Sequence, residues 1–270
     1  MPAIFDGTNG LTFNDGTLMG SANSLGMRNA LFNADFRINQ RGYVSAATLA
    51  AGAYGHDRFK AGAAGGDYSF TQLASSTQVT IASGKSLIQV VEDKNVVGGS
   101  YVLSWTGTAL ARVGVNSATP SGTFVVSPIL ITGQTAGTTM SIEFNAGTLN
   151  TAQLELGTVA TPFERRPIGL ELALCQRYYR DSFFGSGAFD SATVVQIYGG
   201  FPVQMRATPT IGTPSGSVDQ LGVSGRTITA ITGSALNSNG GRIAFTTSGG
   251  TALAPAAATT ATFVPLSAEL

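Results

Sequence analysis

His56, the chain's one histidine, stands beside Asp57, and a histidine next to a carboxylate is the pairing a serine triad would use. The surroundings point elsewhere. Tyr54-Gly55-His56-Asp57-Arg58-Phe59 reads as a turn followed by a strand, with Asp57 and Arg58 held in structural hydrogen bonds, and no Gly-x-Ser-x-Gly elbow supplies a nucleophile. Glycoside hydrolysis asks for less, only two carboxylates at about 5–9.5 Å. Glu92, Asp93, Glu143 and Glu155 are available, but Glu92-Asp93-Lys94-Asn95 reads as a hairpin turn and Glu143 alternates with core residues on an outward face. Gly62-Ala63-Ala64-Gly65-Gly66 lacks the following helix and the Gly-Lys-Ser/Thr of a phosphate cradle. The single Cys175 excludes an intrachain disulfide framework and a multi-cysteine zinc site, and it falls where a packed residue is expected. Asp57, Asp67 and Asn95 carry oxygens of the kind calcium takes, without a diagnostic spacing, so no metal, cofactor or catalytic residue is assigned. For binding, an aromatic ring can stack on a sugar face. Trp105 belongs in the core of an alternating strand, which leaves Tyr43, Tyr54 and Tyr68 as the expected ligand-binding residues.

Composition narrows the partners. Lys+Arg and Asp+Glu are 15 each, so no overall field draws nucleic acid or an anionic membrane. Charged residues make up 11% of the chain against about 25% in average soluble domains. With a mean hydropathy of +0.19 and 35 glycines, the exterior must be neutral, and self-association would hide part of it. Of the 15 basic residues only Lys60, Lys85 and Lys94 are lysine; arginine's planar fork suits fixed bonds in tight places. The longest uncharged run, residues 243–268, is interrupted by Gly249, Gly250, Pro255 and Pro265, so no membrane insertion is expected, and no secretory signal pattern opens the chain.

The elements that would position these residues are mostly strands. Residues 1–27, rich in Asp-Gly and Asn-Gly, read as a turn-rich arm too small to enclose a core. Over residues 28–167, short alternating strands are expected at 31–37, 68–73, 78–81, 86–91, 100–106, 111–115, 123–131, 139–145 and 152–156, a spacing that suits a jelly-roll β-sandwich. Residues 168–182 hold the one good helical window, with Pro167 at its start and Leu170, Leu174, Arg177 and Tyr178 on one face. Residues 183–270 return to strands, at 193–198, 201–205, 227–232, 242–247 and 261–266, as a second, smaller β domain. The fold class is therefore all-β: arm, sandwich, linking helix, second β domain. Pro162-Phe163 would end the last sandwich strand, and Glu164, Arg165 and Arg166 could tie that exit to the helix bearing Arg177, an interdomain structural role.

Three strings carry a family resemblance. LFNADFRINQRG (residues 31–42), followed by HDRF (56–59), resembles the "NGDFRINQRG" and "DRW" opening of tailed-bacteriophage tail-fibre and virion appendage proteins, with Phe59 where that family usually has Trp. AQLELGTVATPFERR (152–166), continuing through ELALCQRYY (171–179), resembles the same family, as does FPVQMRATP (201–209) in its second β module. The resemblance implies a carbohydrate-binding-module-like jelly roll and assembly into a fibre or spike, as a trimer. The arm would anchor to other virion proteins, and the location would be the virion surface after synthesis in the host cytoplasm. Attachment to a host-surface glycan is the implied function, without enzymatic activity. A collar, baseplate or capsid decoration is the alternative, and a polysaccharide depolymerase the third reading.

Overall fold

The computed structural model describes residues 4–6, 10–12, 18–19, 27–220, 223–250, 255–258 and 263–270. Of the arm, β1 (Ile4–Asp6), β2 (Gly10–Thr12) and β3 (Leu18–Met19) form an antiparallel sheet in that order, and the rest of the arm up to residue 26 lies outside the described residues. The chain makes two compact units. The first comprises Met1–Arg37, Val44–Gly55 and Phe59–Pro167; the second comprises Ile38–Tyr43, His56–Arg58 and Ile168–Leu270. Neither unit is one unbroken stretch of chain.

In the first unit the strands are β4 (Lys60–Ala61), β5 (Tyr68–Gln72), β6 (Thr77–Ile81), β7 (Leu87–Val91), β8 (Gly99–Gly107), β9 (Ala111–Gly114), β10 (Ile129–Gln134), β11 (Met140–Phe144) and β12 (Gly147–Leu156). They build a 5-stranded sheet, β10-β8-β12-β6-β5, and a 4-stranded sheet, β4-β7-β11-β9. From β6 to β12 successive strands fall alternately in one sheet and the other, which is the winding of a jelly-roll sandwich. Alternation puts Val79, Leu103 and Leu154 inward from one sheet and Leu87, Ile142 and Phe144 from the other. Trp105 meets Phe144 edge-on across the core with ring centres 5.5 Å apart, and its indole N–H donates to the Ala109 carbonyl at 2.7 Å.

In this unit two expected strands fail for identifiable reasons. Residues 31–37 are buried but irregular, because Asn33 and Phe36 take φ of 54° and 55° in the left-handed region. Their backbone groups are satisfied by neighbours instead: Gln89 binds both sides of Phe32, accepting its N–H at 2.7 Å and donating to its carbonyl at 2.8 Å. Asn29 likewise bonds to Ala152 and Leu154 of β12, and Phe36 stacks on Phe59 at 4.3 Å. The strand expected over 123–131 begins only at Ile129, since Pro128 has no N–H for a ladder.

The second unit opens with α1 (Ile168–Gln176), the one α-helix among the described residues. It buries Glu171 and Cys175; of Leu170, Leu174, Arg177 and Tyr178, Tyr178 is buried and Leu170 is exposed. Tyr178 and its neighbours leave the helix for β13 (Tyr179–Ser182). The remaining strands are β14 (Gly185–Phe189), β15 (Val194–Gly200), β16 (Thr210–Ile211), β17 (Ser217–Gln220), β18 (Val223–Asn237), β19 (Gly240–Thr247), β20 (Pro255–Ala258) and β21 (Phe263–Ser267). β13, β21 and β16 make a small sheet, and β14-β15-β19-β18-β17-β20 close into a barrel, which leaves no open edge. Phe189, Val195, Ile197, Val218, Ile243 and Phe245 are buried in one core with Phe183, Met205, Val264 and Leu266. Residues 201–205, expected as a strand, run irregularly past Pro202, with Phe201 donating to the Asn239 carbonyl and Met205 to that of Ser238. Residues 261 and 262 of the last expected strand lie outside the described residues.

Candidate functional site

The only histidine and its neighbours are held in a buried clasp of the second unit. Asn39 folds the QRG segment into a turn, its amide bonding both ways with Tyr43 at 2.9 and 3.0 Å, while Gly42 takes a φ of 63°. That turn presents the Gln40 backbone N–H and side-chain amide to the two oxygens of Asp57, at 2.7 and 2.8 Å. The Gln40 amide also donates to the Tyr179 carbonyl at 3.0 Å. Arg41 lies 3.6 Å from Asp57 and 3.0 Å from Glu269, and Arg58 also pairs with Glu269. Both guanidinium groups stack on aromatic faces at 3.6 Å, Arg41 on Tyr179 and Arg58 on Tyr178. Burial pushes the Asp57 carboxyl up, opposed by the Arg41 charge and the Gln40 bonds. Burial also pushes His56 down to about 4, so its imidazole stays neutral across the physiological range. With His56, Asp57 and Arg58 3%, 1% and 2% exposed, this arrangement holds the fold and offers no surface to a substrate. Cys175 is wholly buried, and desolvation raises its thiol well above the usual range, the signature of a packed cysteine.

The carboxylates considered for glycoside hydrolysis are likewise engaged. Glu143, expected on an outward face, is buried instead: it accepts from Ser86 Oγ at 2.6 Å and from Arg112 Nε at 2.7 Å. Its strand β11 is covered on both faces, so alternation there does not lead to solvent. Glu155 accepts from the Thr161 N–H at 2.8 Å, the Thr161 hydroxyl at 2.7 Å and the Gln153 amide at 2.9 Å. Glu92 is buried, and Asp93 is exposed in a short 3-10 turn. Among the described residues no group of three or more His, Cys, Asp and Glu side chains could hold a metal.

Glu164, Arg165 and Arg166 clamp the first unit's own N-terminal segment. Glu164 accepts the Asn29 N–H at 2.9 Å, and Arg166 donates to the carbonyls of Asn29 and, at 3.2 Å, Leu31. Arg165 lies 3.5 Å from Asp35. Asn29, Leu31 and Asp35 all belong to the first unit. Arg177, in the second unit, has its carbonyl accepting the Arg206 N–H at 2.7 Å.

Of the tyrosines expected to bind a ligand, Tyr68 is not at the surface. Tyr68 is 1% exposed, because it takes the inward place at the start of β5 with its hydroxyl against Gly55, where a methyl group would come within 2.4 Å of it. Tyr54 is half-buried in the same unit, and Tyr43 is half-buried in the second. Trp105 does line a shallow depression of about 220 Å³, with Ser104, Thr106, Thr151, Gln153, Thr161, Pro162 and Phe163. Its polar groups largely satisfy one another: the Thr106 and Thr151 hydroxyls meet at 2.9 Å, and the Gln153 amide is spent on Glu155 and Thr161. Tyr198, which the sequence reading passes over, is 57% exposed. The signal for it is local: in VVQIYGG, Val195 and Ile197 take the inward positions, so the next aromatic must face out, beside two glycines that cannot cover it.

No protein-family model matches the chain, and no curated protein matches it. Among solved structures, recombinant discoidin II of Dictyostelium discoideum is 13% identical, with 89% of this chain and 92% of that chain covered at a TM-score of 0.18. Wild-type discoidin II from the same organism is 12% identical, with 89% and 91% covered at 0.19. Overlap at that level does not amount to a shared fold.

Proposed function

We propose that the chain is a subunit of a tailed-bacteriophage virion appendage, a tail fibre or spike, that attaches to host-surface glycans. The observation that carries this reading is where the family-like strings fall. Residues 31–42 and 56–59 supply the Phe32–Gln89 bonds, the Phe36–Phe59 stack and the Gln40–Asp57 clasp. Residues 152–166 supply Glu164 and Arg166, which hold Asn29 and Leu31, and residues 171–179 supply the rings under Arg41 and Arg58. The strings thus include many of the residues whose side chains hold the fold together. This supports shared architecture with that family.

The chemistry fits attachment better than cleavage, because Glu143 and Glu155 are fully occupied by structural hydrogen bonds. Each subunit would make weak sugar contacts, and avidity would come from copy number in a homo-oligomer, with the arm fixed to other virion proteins. Exposed Val97, Val125, Val126, Leu130 and Val159 of the first unit, together with the low charge, favour such self-association. The test is immunogold labelling of mature particles with antibody to the chain, together with competition of adsorption by the purified protein. Labelled appendages and slowed adsorption are expected; absence of the chain from mature particles overturns the proposal.

A further inference from the structure

The outer wall of the barrel carries an aromatic side chain with a prearranged set of polar groups around it. On β15 the buried Val195 and Ile197 alternate with Gln196 and Tyr198, which point away from the core. In the sheet register Tyr198 lies between Ser186 of β14 and Arg242 of β19, and Gln196 lies between Ala188 and Ala244. With Ser186 on one side and Gly199 and Gly200 following, the Tyr198 ring stands clear, 57% exposed. Gln196 organises the charged groups. Its Oε1 accepts from Arg242 at 2.6 Å and from the Tyr198 hydroxyl at 3.2 Å, and its amide N–H donates to the Asp190 carboxylate. A phenol ring, a guanidinium and a carboxylate are thus fixed about one amide.

What sets this exposed ring apart from the other exposed apolar side chains is the fixed guanidinium and carboxylate beside it, which give a stacking ligand hydrogen-bonding partners. The arrangement matches a pyranose. The C–H face of the sugar would stack on the ring, Arg242 would donate to ring hydroxyls with N–H groups that Gln196 does not use, and Asp190 would accept from a hydroxyl. Because Asp190 and Arg242 carry opposite charges, the site suits a neutral sugar; a carboxylated one would meet Asp190. We infer that Tyr198, Gln196, Arg242 and Asp190 form a binding site for a neutral pyranose with adjacent hydroxyls. This deepens the glycan-attachment reading and rests on it, by naming the place and the sugar class.

The experiment uses the full chain on a printed glycan array of neutral and uronic-acid saccharides, with saturation-transfer NMR against methyl α-D-galactopyranoside, methyl α-D-glucopyranoside and methyl α-D-mannopyranoside. Neutral sugars are expected to bind. Tyr198→Ala should weaken binding about tenfold or more while Tyr198→Phe, which keeps the ring, stays within about threefold. Thermal melting verifies that both variants fold, as an exposed position predicts. Array binding unchanged in folded Tyr198→Ala overturns this site and leaves glycan attachment standing. A wild-type chain that captures no saccharide overturns both the site and glycan attachment. Preference for uronic acids overturns the neutral-sugar assignment.

Discussion

Replacing Glu269 by Gln tests whether the buried clasp carries the second unit's stability. Glu269 is the shared counter-charge of Arg41 and Arg58, and the Arg58 side chain is 2% exposed. The substitution keeps the shape and removes the charge, so Arg58 stays buried with its cation–π contact to Tyr178 but loses the Glu269 carboxylate. Arg41 is less affected, because Asp57 lies 3.6 Å away. Breaking one side of a buried pair costs about 3–5 kcal/mol, since the remaining charge no longer has that counter-charge to offset its lost hydration. At about 4 °C per kcal/mol for a unit of this size, the melting point should fall by about 12–20 °C. Differential scanning calorimetry of Glu269→Gln, Arg58→Met and the double variant Arg58→Met/Glu269→Leu is the assay. The double variant should melt above Glu269→Gln, because two apolar side chains replace the Arg58–Glu269 pair while Arg41 keeps Asp57. If Glu269→Gln melts within about 2 °C of wild type, the clasp is not what holds this unit.

Acidification is expected to destabilise the chain through His56. Its folded value near 4 lies below the ordinary 6.5, so between those limits the unfolded chain binds the extra proton. The contribution is intact above pH 6.5 and lost as pH falls through 4, by about 3 kcal/mol in all; urea melts of wild type and His56→Gln at pH 7.5 and 4.0 should show the smaller pH dependence in the variant. Gln89→Leu should cost about 2–4 kcal/mol by removing the amide that bonds the buried N–H and carbonyl of Phe32, which denaturant titration would reveal as a lower midpoint at constant slope. Gly187→Ala should destabilise the barrel, since the added carbon would lie 1.7 Å from the Gln196 carbonyl oxygen; soluble, wild-type-like Gly187→Ala would show that β14 and β15 do not approach as described.

Much of the fold is local in origin and could be read from residue order. A period of two with β-branched and aromatic residues marks β5 through β8 and β19, and the Leu-, Ala- and Glu-rich window after Pro167 marks α1. The scarcity of charge and the preference for arginine anticipated buried guanidinium groups such as Arg58 and Arg166. Less legible were residues 31–37, whose apolar content suggested a strand. Backbone conformations at Asn33 and Phe36 that only distant partners such as Gln89 can sustain override that pattern.

Candidate binding residues were the least legible part, because exposure belongs to the whole assembly of strands. Tyr68 and Tyr198 both sit in alternating strands, yet one faces a core and the other solvent. Glu143 alternates as a surface residue would, but its strand is covered on both faces. The sequence by itself determined strand period, turn sites and overall charge, since these depend on neighbours a few residues apart. Tertiary structure alone decided that Glu269 meets Arg58 across 211 positions, that Glu164 meets Asn29 across 135, and which aromatic ring is left in water. Such pairings are fixed by sheet register and barrel closure, which depend on the joint packing of many strands and not on any one segment.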